Sequence, residues 1–137
     1  MTTGTDRTVY LVDDDEAVRD SLKILLESCG FAVEDYPSGP AFLEAWRGGW
    51  RGCLVLDLHM PAMTGLQLLQ AMRTRAVDLP AIVITGRADS ATEVQAIEAG
   101  ALAVLEKPVG GDVLVAMIAR ALAAPTTLEY APPAQTA

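Results

Sequence analysis

Histidine is nearly absent: His59 is the only one in 137 residues, which excludes any multi-histidine metal site. Cysteine is scarce too. Cys29 and Cys53 sit in patterned apolar segments without metal-ligand spacing, and both read as small buried residues rather than a disulfide or redox pair. Basic residues are in deficit, ten against eighteen acidic ones, for a formal net charge of −8. A nucleic-acid-binding surface must neutralise phosphates with lysine and arginine, so this chain is not expected to bind nucleic acid directly. No apolar run approaches the roughly 20 residues of a membrane span, so no membrane association is expected. The first seven residues carry no basic segment leading into an apolar one, so no signal peptide is expected and a cytoplasmic location is. No glycine-rich phosphate loop follows the first β-prone run, and no internal repeat is visible. The remaining composition, 51% hydrophobic and 20% charged, suits one globular domain with a full core.

Strand-like and helix-like segments alternate five times. Thr8–Val12 is the first β-prone run, ending in Asp13-Asp14-Asp15-Glu16. Val18, Leu22, Leu25, Leu26 and Cys29 then recur at helical spacing, with Asp15 able to cap that helix and Gly30 to end it. Ala32–Tyr36 is a more polar strand, placed at an edge. Ser38 offers the next cap, with Pro40 in the first turn and Phe42, Leu43 and Trp46 on the apolar face. Cys53–Leu56 is a wholly apolar strand that stops at Asp57, and Leu66, Leu68, Leu69 and Met72 mark the helix after it. Ala81–Ile84 is a strand ending in Thr85-Gly86. Ser90-Ala91-Thr92-Glu93 matches a capping box for a helix that stops at Gly100. Leu102–Leu105 is the fifth strand, ending in Glu106-Lys107-Pro108, and a last helix follows Gly110-Gly111.

The central strands are continuously apolar rather than alternating, so both faces should be covered. The pattern predicts an α/β fold, a doubly wound (βα)5 parallel sheet with helices on both faces. Residues 1–7 read as a tail, 8–123 as the domain, and 124–137, rich in proline and alanine, as a linker or tail. Trp46 and Trp50 read as packing residues rather than a ligand box.

The polar residues gather at strand ends: Asp13 and Asp14 after the first, Asp57 after the third, Thr85 after the fourth, Lys107 after the fifth. In an open parallel sheet that edge binds ligands. If strands one and three are neighbours, about 4.8 Å apart, three carboxylates converge. Their repulsion either raises a pKa or binds a cation. Mg²⁺ suits hard oxygen ligands with retained waters. Asp57 can then serve as a carboxylate nucleophile, with Lys107 and the Thr85 hydroxyl left to stabilise phosphoryl oxygens.

Four motifs in this order, Val12-Asp13-Asp14, Asp57 through Gly65, Thr85-Gly86 and Lys107-Pro108, resemble the signature of response-regulator receiver domains (CheY-like) over about residues 8 to 123. Ile82–Gly86 with Glu106-Lys107-Pro108 is most similar to FixJ-type receivers. The resemblance implies strand order 2-1-3-4-5. It implies that Asp57 takes a phosphoryl group from a sensor histidine kinase, and that Asp14, Asp57 and the backbone carbonyl of His59 bind Mg²⁺, with Asp13 holding it through water. Thr85 is then the residue that moves toward the phosphoryl group, Lys107 its ion partner, and Lys107-Pro108 a cis peptide. Val104 stands where many receivers carry an aromatic that swings inward, and Val109 replaces a common phenylalanine. A valine has little rotamer freedom with which to report, so the switch is expected to lean on Thr85 and the following loop. His59 and Arg87, two residues after Asp57 and Thr85, border the hydrolytic path in such receivers and are expected to set phosphoryl lifetime.

The expected function is therefore a phosphorylation-driven switch, not an enzyme acting on other substrates. Its partner face is expected on the fourth helix, fifth strand and fifth helix, where a homodimer can form. Two other readings compete. A pseudo-receiver would bind partners without phosphorylation. An aspartate-nucleophile phosphatase of the haloacid-dehalogenase kind would want a second aspartate where His59 stands. Nothing after Ala123 could fold into a helix-turn-helix domain, so the chain is expected to be either a stand-alone regulator or a receiver cut at its linker.

Overall fold

Five strands alternate with five helices in the computed structural model, which describes residues 8–87 and 89–123. The expected tail 1–7 and linker 124–137 lie outside the described residues. The elements are β1 (Thr8–Val12), α1 (Glu16–Ser28), β2 (Ala32–Tyr36), α2 (Gly39–Ala45), β3 (Cys53–Asp57), α3 (Gly65–Thr74), β4 (Ala81–Thr85), α4 (Ser90–Glu98), β5 (Ala103–Glu106) and α5 (Gly111–Ala123). All pairings are parallel, in the order β2-β1-β3-β4-β5. The half-exposed β2 is an edge strand, as its polar sequence implied.

Period-two alternation sorts the strands' side chains onto two faces. Tyr10, Val12, Leu54, Leu56, Ala81 and Val83 pack with Phe42 of α2, Leu68, Leu69 and Met72 of α3, and Ala96 of α4. Val9, Leu11, Cys53, Val55, Ile82 and Ile84 pack with Leu26 of α1 and Leu114, Ile118 and Ala121 of α5. Continuous apolar runs in β3 and β4 follow directly, since neither face meets water.

The helix ends are set by local chemistry. Asp15, Ser38 and Thr64 cap α1, α2 and α3 through bonds accepted from Val18, Ala41 and Gln67 main-chain N–H groups. The full capping box lies at Thr64–Gln67, where none was expected. The box expected at Ser90–Glu93 is not formed. Asp89 is the cap, accepting from the Thr92 N–H, and Ser90 is already the first helical residue. A carboxylate one residue upstream wins that role because it aligns with the third helical N–H. Three helices end in the same six-residue closure: Phe31 N–H to Leu26 O, Val77 N–H to Met72 O and Ala101 N–H to Ala96 O. The left-handed position is Gly30 at α1 and Gly100 at α4, but Ala76, with φ 55°, at α3. The fifth strand starts at Ala103 rather than Leu102, whose exposed side chain sits in the turn before it.

Trp46 and Trp50 are packing residues. Trp50 stacks on Tyr10 with ring centroids 5.0 Å apart, and Trp46, Phe42 and Tyr36 complete the cluster over the α2 face. Cys53 is buried, and burial pushes its thiol pKa up to about 12. Cys29 is exposed, contrary to expectation. It is the C-terminal cap of α1, and the apolar contact at that turn is made by Leu26 and Phe31 instead.

Candidate functional site

Asp57 is the last residue of β3 and is only 7% exposed, at the end of four fully buried apolar positions. Pairing continues one step beyond it, since the Leu58 N–H donates to Ile84 O at 2.9 Å. The chain then doubles back within seven residues, with the Gly65 N–H donating to Leu58 O at 2.8 Å. A Cβ at Gly65 would stand 2.7 Å from Leu58 Cα and 2.8 Å from Asp57 O, so only glycine permits this return. The loop keeps the His59 N–H 3.4 Å from Asp57 Oδ1.

The neighbouring strand end supplies the acids. Asp13 is 3% exposed, its N–H bonded to Tyr36 O at 3.2 Å and its Oδ1 accepting from the Asp15 N–H at 2.9 Å. Asp14 is exposed. Carboxylate oxygens of Asp13, Asp14 and Asp57 all lie within 4.8 Å of one another. From β5, Lys107 Nζ approaches Asp57 Oδ2 to 3.6 Å and Asp13 Oδ2 to 4.0 Å, and the Lys107-Pro108 peptide is cis. Burial raises the Asp13 pKa above the ordinary carboxylate value, and the charges of Asp57 and Asp14 add to the rise, against the Asp15 N–H and Lys107. The expected crowding of carboxylates is thus present and costs free energy. Two buried acids and one exposed acid, all hard oxygen donors with a side open to water, fit Mg²⁺, which keeps several of its waters.

The remaining residues divide by strand parity. Asp57 belongs to the α1/α5 side of its strand; Thr85 and Val104 belong to the α3/α4 side of theirs. Thr85 is fully buried, and its hydroxyl donates to the Arg87 carbonyl and accepts from the Arg87 N–H, both at 3.2 Å. The hydroxyl is thus engaged by the β4–α4 loop rather than by the acids. Val104 pairs in register with Val83 and packs, half-buried, with the α3/α4 cluster. Val109 packs on the opposite face. His59 and Arg87 are exposed, and the Asp89 carboxyl near them is held low chiefly by the Thr92 N–H.

One residue at the site was not singled out from the sequence. Arg19, on α1, donates from Nη1 to the Asp13 main-chain carbonyl at 2.8 Å and from Nε to Asp35 Oδ2 at 2.9 Å. Its only sequence signal is a cation four residues after a helix cap, which is too common to single out.

The response regulator receiver domain profile matches residues 9–119. The transcriptional regulatory protein FixJ of Bradyrhizobium diazoefficiens is 42% identical over 114 residues, covering 83% of this chain and 56% of that protein. The C4-dicarboxylate transport transcriptional regulatory protein DctR of Rhodobacter capsulatus is 41% identical over 119 residues, covering 85% of this chain and 60% of that protein. The chain therefore spans little more than half the length of these curated relatives. The crystal structure of FixJ-N superposes with a TM-score of 0.82 at 41% identity, over 90% of this chain and 99% of that one. Fold, order of strands, acidic cluster and these identities agree: the chain belongs to the response regulator receiver domain family of two-component systems, alongside FixJ and DctR.

Proposed function

We propose that Asp57 accepts a phosphoryl group from a histidine of a sensor kinase and that the change in charge there is read on the α4–β5–α5 face. The observation that carries this is the placement of Asp57: a nearly buried carboxylate with two acid neighbours and with Lys107 Nζ at 3.6 Å. A carboxylate oxygen attacks phosphorus, the P–N bond to the kinase imidazole breaks, and the imidazole leaves with its electron pair. Asp14, Asp57 and the His59 carbonyl would hold Mg²⁺, with Asp13 acting through a water; bound there, the ion supplies positive charge for the phosphoryl oxygens. Lys107 neutralises a second oxygen. The Thr85 hydroxyl must give up Arg87 to reach a third, and that exchange pulls on the loop that starts α4.

The face proposed to respond carries exposed Val94 and Ile97 on α4, Leu102 before β5 and Val113 on α5, among Glu93, Glu98, Glu106 and Asp112. Exposed apolar side chains among acidic ones suit an interface, here a homodimer formed on phosphorylation. A transcriptional output follows the naming of the relatives, and a cytoplasmic location goes with it; among the described residues no helix is long and apolar enough to cross a membrane. His59 and Arg87 set how long the phosphoryl group lasts.

Intact-mass measurement after acetyl phosphate and Mg²⁺ tests the reading. One phosphoryl mass should add to the wild type and none to Asp57→Asn. Adducts on both would place the acceptor elsewhere, and adducts on neither would favour a phosphorylation-independent binding module. In the same assay His59→Ala and Arg87→Ala should change the decay of the adduct; equal half-lives would remove them from the site.

A further inference from the structure

The acidic pocket has a neighbour that no acid–base or phosphoryl role requires. Arg19 is 13% exposed, and its guanidinium spans two elements. Nη1 donates to the main-chain carbonyl of Asp13, and Nε donates to Asp35 of β2, which also takes Lys23 Nζ at 3.4 Å. The N–H of Asp13 is bonded to Tyr36 O of the same edge strand. Both polar groups of the Asp13 backbone are therefore tied down, and the Asp13–Asp14 peptide can adopt one orientation. That peptide aims both carboxylates.

A cation beside a cation site would ordinarily weaken it. Here Asp35, shared with Lys23, offsets part of the guanidinium's charge, leaving the second N–H to act by geometry. Only a planar fork makes both bonds at once. We propose that Arg19 is a positioning residue that preorganises Asp13 and Asp14 for the divalent cation. The proposal rests on the function proposed for the pocket and adds to it a residue that touches neither metal nor phosphoryl group. Outer groups that orient metal ligands typically change affinity by ten- to a hundredfold when removed.

The two possible roles of Arg19 have opposite signs, which makes the test decisive. Isothermal titration with Mg²⁺ alone, no phosphodonor present, should show the Kd rising about tenfold in Arg19→Met. It should rise nearly as much in Arg19→Lys, which keeps the charge and loses the fork. Asp35→Asn, which keeps an oxygen able to accept from Nε but removes the offsetting charge, should weaken binding less than Arg19→Met does. At saturating Mg²⁺ the extent of Asp57 phosphorylation in Arg19→Met should return to the wild-type value. Unchanged or tighter binding in Arg19→Met would mean that Arg19 is only a nearby charge, and the proposal fails while the function reading stands. If Arg19→Met does not fold, Arg19→Lys decides alone. A wild type that does not bind Mg²⁺ would overturn both.

Discussion

Helices α3 and α4 lie side by side over the same face of the sheet, yet they are held there by different means. The inner face of α3 is Leu68, Leu69 and Met72, all buried. Of the residues within α4, only Ala96 is buried, and Val94 and Ile97 face outward. A buried leucine contributes about 1.5–3 kcal/mol, a methyl group about 0.8. The hydrogen bond from Arg73 of α3 to the Glu98 carbonyl is an exposed tie at the far end of α4. The other end of α4 begins just after the loop that holds the Thr85 hydroxyl. The element beside the proposed sensor is thus the one that costs least to shift, and mobile elements are drawn from the weakly packed ones. The acid side is built the opposite way, with Asp13 bonded through its N–H, its carbonyl and its carboxylate. A pinned acid beside the acceptor, and a loosely seated reporter, offer a route by which Val104, with its stiff side chain, need not relay anything.

The contrast between the two helices is open to direct attack. Leu68→Ala should destabilise the domain by about 2–5 kcal/mol in urea unfolding, whereas Ile97→Ala should fall within about 0.5 kcal/mol of wild type. A large loss for Ile97→Ala would mean that the α4 face is covered in solution. A smaller effect sharpens the comparison at the helix ends. Ala76 occupies the left-handed position that glycine fills after α1 and α4, so Ala76→Gly should stabilise by about 0.5–1 kcal/mol. No gain would indicate that the turn relaxes in solution.

The smallest effect concerns the pinned side. Burial raises the Asp35 carboxyl pKa, but the hydrogen bonds and charges of Arg19 and Lys23 outweigh it and hold the carboxyl below its ordinary value. A folded pKa below the unfolded one gives a contribution that is complete above the ordinary value, about pH 4, and is lost as pH falls through the depressed one. The stability difference between wild type and Asp35→Asn should therefore be at most about 1 kcal/mol at pH 7 and should vanish in acid. Denaturant curves at both pH values check this; a difference that persists in acid would assign it to packing.

Much of this was legible beforehand because its causes are local. Asp15 and Ser38 are caps because a short polar side chain precedes a helical apolar pattern, and such a side chain bonds N–H groups within three residues. The sheet's two-sided burial follows from runs such as Leu54-Val55-Leu56. The misreadings were also local ones. Asp89 displaced Ser90 as cap by a one-residue offset, and Cys29 looked like core because periodicity alone cannot say where a helix stops touching the sheet.

By itself, then, the sequence determined the ten elements' type and rough extent and the set of polar residues at their carboxyl ends, since spacing, caps and glycine breaks act over a few residues. Only the tertiary structure decided which of those residues meet. Strand neighbours bring Asp13, Asp14, Asp57 and Lys107 together. Strand parity puts Thr85 on the other face, with its hydroxyl in the α4 loop. The approach of α1 to β2 makes Arg19 part of the site. Each of these depends on register between segments far apart in the chain, which no local pattern encodes.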